Sequence, residues 1–191
     1  MNFPGLDKEQ QILRLFGKGD PSAMDKLYAE YADYLAGVCS RYIPDEDEMK
    51  DVLQEGFIKI FTKISTFEYR GKGSLKAWSA RIVINEALIS LRKASSSLKM
   101  EEIGTEVPDV PEIEEEPDID GLSEETMINF IKRLPPGYRE VFNLYVIEGK
   151  THKEIAKLLG IKPDTSASQF HKAKKMLAKM IKEYRRNKEN I

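Results

Sequence analysis

Residues 47–93 read DEMKDVLQEGFIKIFTKISTFEYRGKGSLKAWSARIVINEALISLRK, and the spacing of their apolar side chains decides the fold class. Val52, Leu53, Phe57, Ile60, Phe61 and Ile64 recur at the period of one helix face, while Asp51, Gln54, Glu55 and Lys59 fall mostly on the other flanks. A second stripe, Leu75, Trp78, Ile82, Leu88 and Leu91, predicts a helix from about Ser74 to Lys93. Between the two lies STFEYRGKGS, a loop that mixes Phe67 and Tyr69 with Arg70 and Lys72 and is broken by Gly71 and Gly73. Upstream, Leu27, Tyr28, Tyr31, Leu35 and Val38 share a third face, with Pro21 and Ser22 near its start and Pro44 after its end. Residues 1–20 read as a short helix or a loose arm.

Downstream the pattern breaks. Residues 94–121, ASSSLKMEEIGTEVPDVPEIEEEPDIDG, contain three prolines and no aromatic residue. Like charges repel and proline blocks helix continuation, so the segment reads as an extended acidic linker. Helical spacing then resumes. Pro135 and Pro136 open one helix that Gly149 closes, and Gly160 closes the next. The stretch from His152 to His171 fits a helix-turn-helix: Ala156 is small where two helices cross, Gly160 makes the turn, and Lys162 and Pro163 begin the second helix. Phe170, Ala173 and Leu177 point that helix to its core. The expected architecture is all-α: an arm at 1–20, a helical domain at 21–93, the linker at 94–121, a second helical domain at 122–183 and a basic tail at 184–191.

The chain has 191 residues and a net charge of −2, which on its face argues against a polyanionic partner. Divided into blocks the average dissolves. Residues 101–125 carry 12 acidic and no basic side chains, whereas residues 126–191 carry 15 basic and 6 acidic ones. Within the first hundred residues, 6 basic face 12 acidic groups through Ile58, and 9 face 2 beyond it. Some surfaces are therefore suited to polyanions and others to a different partner. One cysteine, Cys39, excludes an internal disulfide and reads as buried filler, and His152 and His171 offer no zinc-ligand spacing. No apolar run approaches the roughly 18 residues of a membrane span, and the N-terminus lacks a signal pattern, so a cytoplasmic protein without membrane insertion is expected.

The glycine loop faintly resembles a phosphate-binding loop, but GxxxxGK[ST] is absent. Two readings stay open: a solvated connector, or capture of single-stranded nucleic acid, in which aromatic faces and guanidinium groups stack on exposed bases. Lys76, Arg81, Arg92 and Lys93 of the next helix would supply phosphate donors. Asn85 is either a base-pairing amide or a satisfied core amide. In the helix-turn-helix, Thr165, Ser168, Gln169, His171, Lys172, Lys174 and Lys175 occupy the outward face.

With these motifs in order, the chain resembles bacterial sigma factors of the extracytoplasmic-function type. Residues 47–93 resemble their region two, with D-x-x-Q-E-x-F, an aromatic-basic loop and W-x-x-x-I-x-x-N; residues 133–177 resemble their region four. The resemblance implies that the chain binds core RNA polymerase and promoter DNA, recognising and opening the minus-ten element and reading the minus-thirty-five element. It implies polymerase contacts at Asp51, Gln54, Glu55, Phe57 and Lys59. Minus-ten contacts are implied at Phe67, Tyr69, Arg70, Lys72, Lys76, Arg81, Asn85 and Arg92, with a flipped non-template base held near the loop. Minus-thirty-five contacts are implied at Lys153, Thr165, Ser166, Ser168, Gln169, His171, Lys172, Lys174 and Lys175. Ser166 stands where the family has an apolar residue, Ala167 where it has a basic one and Gln169 where it has an arginine. Base preference of other members therefore does not transfer, and Gln169 suits adenine. An anti-sigma protein is a further implied partner, and no cofactor is implied. A transcriptional regulator acting without polymerase would use the same helix-turn-helix but leave residues 47–93 unexplained. An enzyme finds no support, since no nucleophile–base pair or metal cluster emerges from the sequence.

Overall fold

The computed structural model describes residues 5–98 and 120–189, which are helical with turns and loops between. The chain divides into two compact units, Met1–Ser90 and Leu91–Ile191.

In the first unit α1 (Lys8–Gly17) resolves the choice left open for the arm. Its start is a capping box: the Gln10 amide donates to Asp7 Oδ1 at 2.9 Å, and the Asp7 amide donates to Gln10 Oε1 at 3.2 Å. Ile12 and Leu15 then turn inward and anchor the helix. Helix α2 (Ser22–Ser40) contributes Leu27, Tyr31, Leu35 and Val38 to the core. Tyr28, placed on that face by its spacing, is instead 55% exposed, although its ring lies 4.8 Å from that of Phe57. Cys39 is buried beside this layer, and burial pushes its thiol up to about 12.

Helix α3 (Glu46–Lys63) opens with Asp45, whose carboxylate accepts from the amides of Asp47 and Glu48. Glu46, Asp47 and Glu48, three of the acidic residues before Ile58, occupy the positive end of this helix, where the dipole favours them. A 3₁₀ turn, Ile64–Thr66, leads into the aromatic-basic loop, and α4 follows over Ser74–Leu98. Gly56 permits the close approach of α3 to α4: a Cβ there would stand 3.0 Å from Val83 Cγ2. Expected to stop near Lys93, α4 continues through 94–98, where neither proline nor glycine interrupts it. The acidic-linker reading otherwise lies outside the described residues, apart from the turn at 120–121.

The second unit comprises α5 (Glu124–Lys132), α6 (Pro136–Phe142), α7 (His152–Leu159) and α8 (Pro163–Glu189). Ser123 caps α5, accepting the Thr126 amide at 3.1 Å. Arg139 satisfies carbonyls at the other end of that helix, donating from Nη1 to Lys132 O at 3.1 Å and Leu134 O at 2.9 Å. Phe130, Ile131, Leu134, Tyr138, Ala173, Leu177 and Ile181 form the core between α5, α6 and α8. Sequence spacing reads one helix from the paired prolines to Gly149. The turns widen to a π-helical stretch at Asn143–Ile147, which leaves Tyr145, Val146 and Ile147 partly exposed. Thr151 and Glu154 form the capping box of α7, and Gly160 ends that helix at φ 70°, a left-handed conformation that favours glycine. The basic residues after 183 continue α8 to Glu189.

Candidate nucleic-acid interface

Two surfaces of the first unit and one of the second collect the residues that the sequence singles out. On α3, Asp51, Gln54 and Glu55 are all exposed at helical spacing, and Ile58 extends the same face at 47% exposure. Ile58 escaped the sequence reading because an exposed isoleucine breaks the apolar-in, polar-out pattern. The other two expected members of this surface differ. Phe57 is buried, its ring set against Tyr28 and Phe61 at 4.8 and 5.9 Å, so it braces α3 from within. Lys59 extends to α4, where Nζ meets Glu86 Oε2 at 2.5 Å, and it joins the two helices.

The loop after α3 carries a cleft of about 540 Å³ lined by Phe67, Arg70, Ser74, Trp78 and Arg81 among others. The rings of Phe67 and Trp78 stand 5.1 Å apart at 49°, which makes one wall aromatic. Opposite charges line the rest, since Arg70 and Arg81 are exposed and Glu68 pairs with Arg70 at 3.4 Å. That pair is open to water and contributes little to stability. Asn85 lies exposed along α4, which excludes the core-amide alternative, and Arg92 is exposed as well. Lys76 places its ammonium 3.9 Å from the centre of the Tyr34 ring, a cation–π contact. Tyr69 donates its hydroxyl to Asp7 of the α1 cap. This bond, together with the Gln10 amide, holds the Asp7 carboxyl below its ordinary value and pushes the Tyr69 hydroxyl up to about 12.

Beneath the loop is a group that sequence reasoning missed. Glu9 of α1 is only 5% exposed, yet both of its oxygens are satisfied. Oε2 accepts the amides of Gly73 at 3.0 Å and Leu75 at 3.2 Å; Oε1 accepts the amide of Lys76 at 3.1 Å and the hydroxyl of Tyr31 at 3.0 Å. The carboxylate therefore caps the first turn of α4, where unpaired amides and the positive end of the dipole favour an anion. Asp7-x-x-Gln10 was a legible capping-box signal. No local signal connects Glu9 to amides more than sixty positions away.

In the second unit, α7 and α8 form the helix-turn-helix. Thr165, Ser168, His171, Lys172 and Lys174 are exposed on α8 and Lys153 on α7, with Lys175 half-buried. One expected groove contact is buried, and another has a neighbour within the unit. Ser166 is 0% exposed and its Oγ lies 3.0 Å from His152 Nδ1, so it braces the two helices where the family pattern has an apolar side chain. Gln169 turns towards α6, where a Cβ on Gly137 would lie 3.1 Å from its Nε2. Thr165, Ser168 and Lys172 stay on the exposed face of α8. His152 also stacks on Tyr145 with ring centres 4.6 Å apart, and Phe170 completes the aromatic cluster at 4.4 Å from Tyr145 and 5.9 Å from His152. Among the described residues no cluster of His, Cys, Asp and Glu fits a metal ion, and no helix is long and apolar enough to cross a membrane.

Comparison with known proteins accounts for both units. The family model for Sigma-70 region 2 matches residues 27–97, and that for Sigma-70 region 4 matches residues 124–177. The chain is 27% identical over 183 residues to the ECF RNA polymerase sigma-E factor of Haemophilus influenzae, covering 91% of this chain and 95% of that one. It is also 27% identical to the RNA polymerase sigma-H factor of Pseudomonas aeruginosa, over 92% of this chain and 94% of that one. A solved structure of the sigma factor RpoE from Bartonella quintana, in complex with the anti-sigma factor NepR, aligns over 84% of this chain and 98% of that chain. Identity there is 21% and the TM-score 0.49.

Proposed function

This chain belongs to the sigma-70 family, as an RNA polymerase sigma factor of the extracytoplasmic-function type, and from that premise we propose how its surfaces divide the work of starting transcription. Binding of core polymerase belongs to the exposed face of α3. Asp51, Gln54 and Glu55 offer charge and hydrogen-bond acceptors, and Ile58 supplies an apolar anchor among them. Opening of the minus-ten element belongs to the cleft between Phe67 and Trp78. Extruding a base costs a few kcal/mol of stacking and pairing. Stacking on an aromatic wall returns about 1–3 kcal/mol per base, and cations at Arg70 and Arg81 hold the backbone. Asn85, exposed one helical turn beyond Arg81, is suited to a base edge.

Reading of the minus-thirty-five element belongs to the start of α8, where Pro163 and Asp164 open the helix and Thr165 and Ser168 face outward. Lys153, Lys172 and Lys174 surround them as phosphate donors, which fix register without reading sequence. An anti-sigma protein is the regulatory partner this division implies; the exposed apolar side chains of Met24, Tyr28 and Ile58 give it a surface to cover.

The single observation that carries the reading is the presence, in one chain, of both an aromatic cleft beside an exposed polar helix face and a basic helix-turn-helix. A regulator acting without polymerase needs only the latter. The test is Asn85→Ala, assayed by permanganate reactivity of promoter thymines and by co-elution with core polymerase. Opening falls at least tenfold while co-elution is retained. Unchanged opening would remove Asn85 from the mechanism.

A further inference from the structure

The aromatic-basic loop has little reason to hold a shape of its own. Gly71 and Gly73 adopt φ of 116° and 91°, Arg70 and Lys72 are exposed, and the loop's internal side-chain bonds are the Arg70 amide to Ser74 Oγ at 3.2 Å and the water-exposed Arg70–Glu68 pair at 3.4 Å. Fixing a free segment of this kind costs about 1–2 kcal/mol per residue in backbone entropy. If that ordering occurred on DNA, it would be subtracted from binding. The loop's end is instead tied to α1, through Glu9 to Gly73, Leu75 and Lys76 and through Asp7 to Tyr69. Helix α1 is anchored independently, by its own capping box and by burial of Ile12 and Leu15.

Charge makes the arrangement informative. Besides Glu68, which is paired with Arg70, two carboxylates stand beside a surface meant for phosphates, where an uncommitted anion would repel DNA. Both are committed, Glu9 to backbone amides and Asp7 to a phenol and its own helix cap.

Resting on the sigma-factor reading, we propose that α1 is a positioning element for strand capture. Asp7 and Glu9 hold the loop in its DNA-receiving shape before DNA arrives. Neither touches a base; they act through Tyr69, Gly73 and the first turn of α4. Because ordering is completed in advance, α1 contributes to the opening step and not to polymerase docking, which uses α3.

The test uses holoenzyme assembled from core polymerase and the full chain, as wild type, Asp7→Asn, Tyr69→Phe and the double variant. Three quantities are read: affinity for core, affinity for a fluorescent single-stranded oligonucleotide of the non-template minus-ten sequence, and the rate of promoter opening. The Asp7–Tyr69 bond is partly buried, so urea midpoints are read alongside, and each variant is expected to lower its midpoint only slightly and to remain folded under the binding conditions. Each single variant is expected to lose about fivefold to tenfold in oligonucleotide affinity and opening rate at unchanged core affinity. The double variant loses no more than either single one, because both act on the same bond, Asp7→Asn by removing the charge of its acceptor and Tyr69→Phe by removing its donor. Unchanged oligonucleotide affinity in both single variants, multiplicative losses in the double, or an equal loss of core affinity would each overturn the proposal. A wild-type holoenzyme that opens no promoter would instead defeat the sigma-factor reading, so the two failures are distinct.

Discussion

Removing the carboxylate of Glu9 tests whether the first unit depends on the bonds it accepts. Glu9→Ala leaves four donors without their partner. The Leu75 amide and the Tyr31 hydroxyl belong to buried residues, and each stranded group costs about 1–3 kcal/mol. The amides of Gly73 and Lys76 lie nearer water and recover most of their bonding, costing about 0.5–1 kcal/mol each. The sum is about 3–8 kcal/mol, and water admitted to the space left by the side chain restores part of the lost bonding and brings the expectation to about 4 kcal/mol. That is a large part of the 5–15 kcal/mol available to a typical domain. Glu9→Gln retains the shape, but its NH₂ replaces an oxygen that accepts two bonds and so sets donor against donor. It should cost about 2 kcal/mol.

The assay is urea denaturation of the full chain followed by tryptophan fluorescence. Trp78 is the sole tryptophan and lies on α4 beside Phe67, so the signal reports the first unit. With a slope of about 1.5 kcal/mol per molar urea, the midpoint falls by about 2.5 M for Glu9→Ala and roughly half as much for Glu9→Gln. A midpoint for Glu9→Ala within about 0.3 M of wild type would refute the reasoning, because it would mean that the four bonds add nothing net.

Three further outcomes are expected. The Asp7 carboxyl, followed by carbon NMR, titrates below its ordinary value of 3.8, and Tyr69→Phe moves the midpoint upward. Since the folded value is depressed, the contribution of this pair is present above pH 3.8 and is lost as pH falls through the lower folded value. Gly56→Val overpacks the α3–α4 crossing at Val83 and lowers stability by about 2–3 kcal/mol in the same urea assay. In promoter fragments carrying only the upstream element, Lys172→Ala weakens binding uniformly across sequences and lowers the salt slope by about 1. Ser166→Ala leaves that slope unchanged, because its hydroxyl serves His152.

Helical periodicity made most of the architecture legible. The stripes through Leu27, Leu35, Ile60 and Leu88 are core, and Gly160 closes α7 where its residue type requires. The serine run after Ala94 resembled the start of a linker, yet serine costs a helix little and α4 continues to Leu98. Of the candidate site, the sequence made exposure legible. Asp51, Gln54, Glu55, Arg81 and Asn85 are exposed, as an amphipathic pattern predicts. Ser166 was misjudged and the neighbours of Gln169 and Lys59 were missed, because polarity alone does not show whether a side chain meets solvent or a neighbouring helix. Ser166 has His152, Gln169 lies over Gly137 and Lys59 has Glu86. Glu9 was invisible for a stronger reason: three of its four partners are backbone amides, which leave no trace in side-chain identity.

The central claim is that this chain confers promoter-specific initiation on core polymerase, and run-off transcription tests it most directly. Purified core enzyme is given a library of promoter fragments with and without the chain. The account predicts transcripts with discrete start sites that appear only when the chain is present, accompanied by co-elution of the chain with core. Transcription unchanged by its addition, with no co-elution and with tight operator binding by the chain alone, would contradict it.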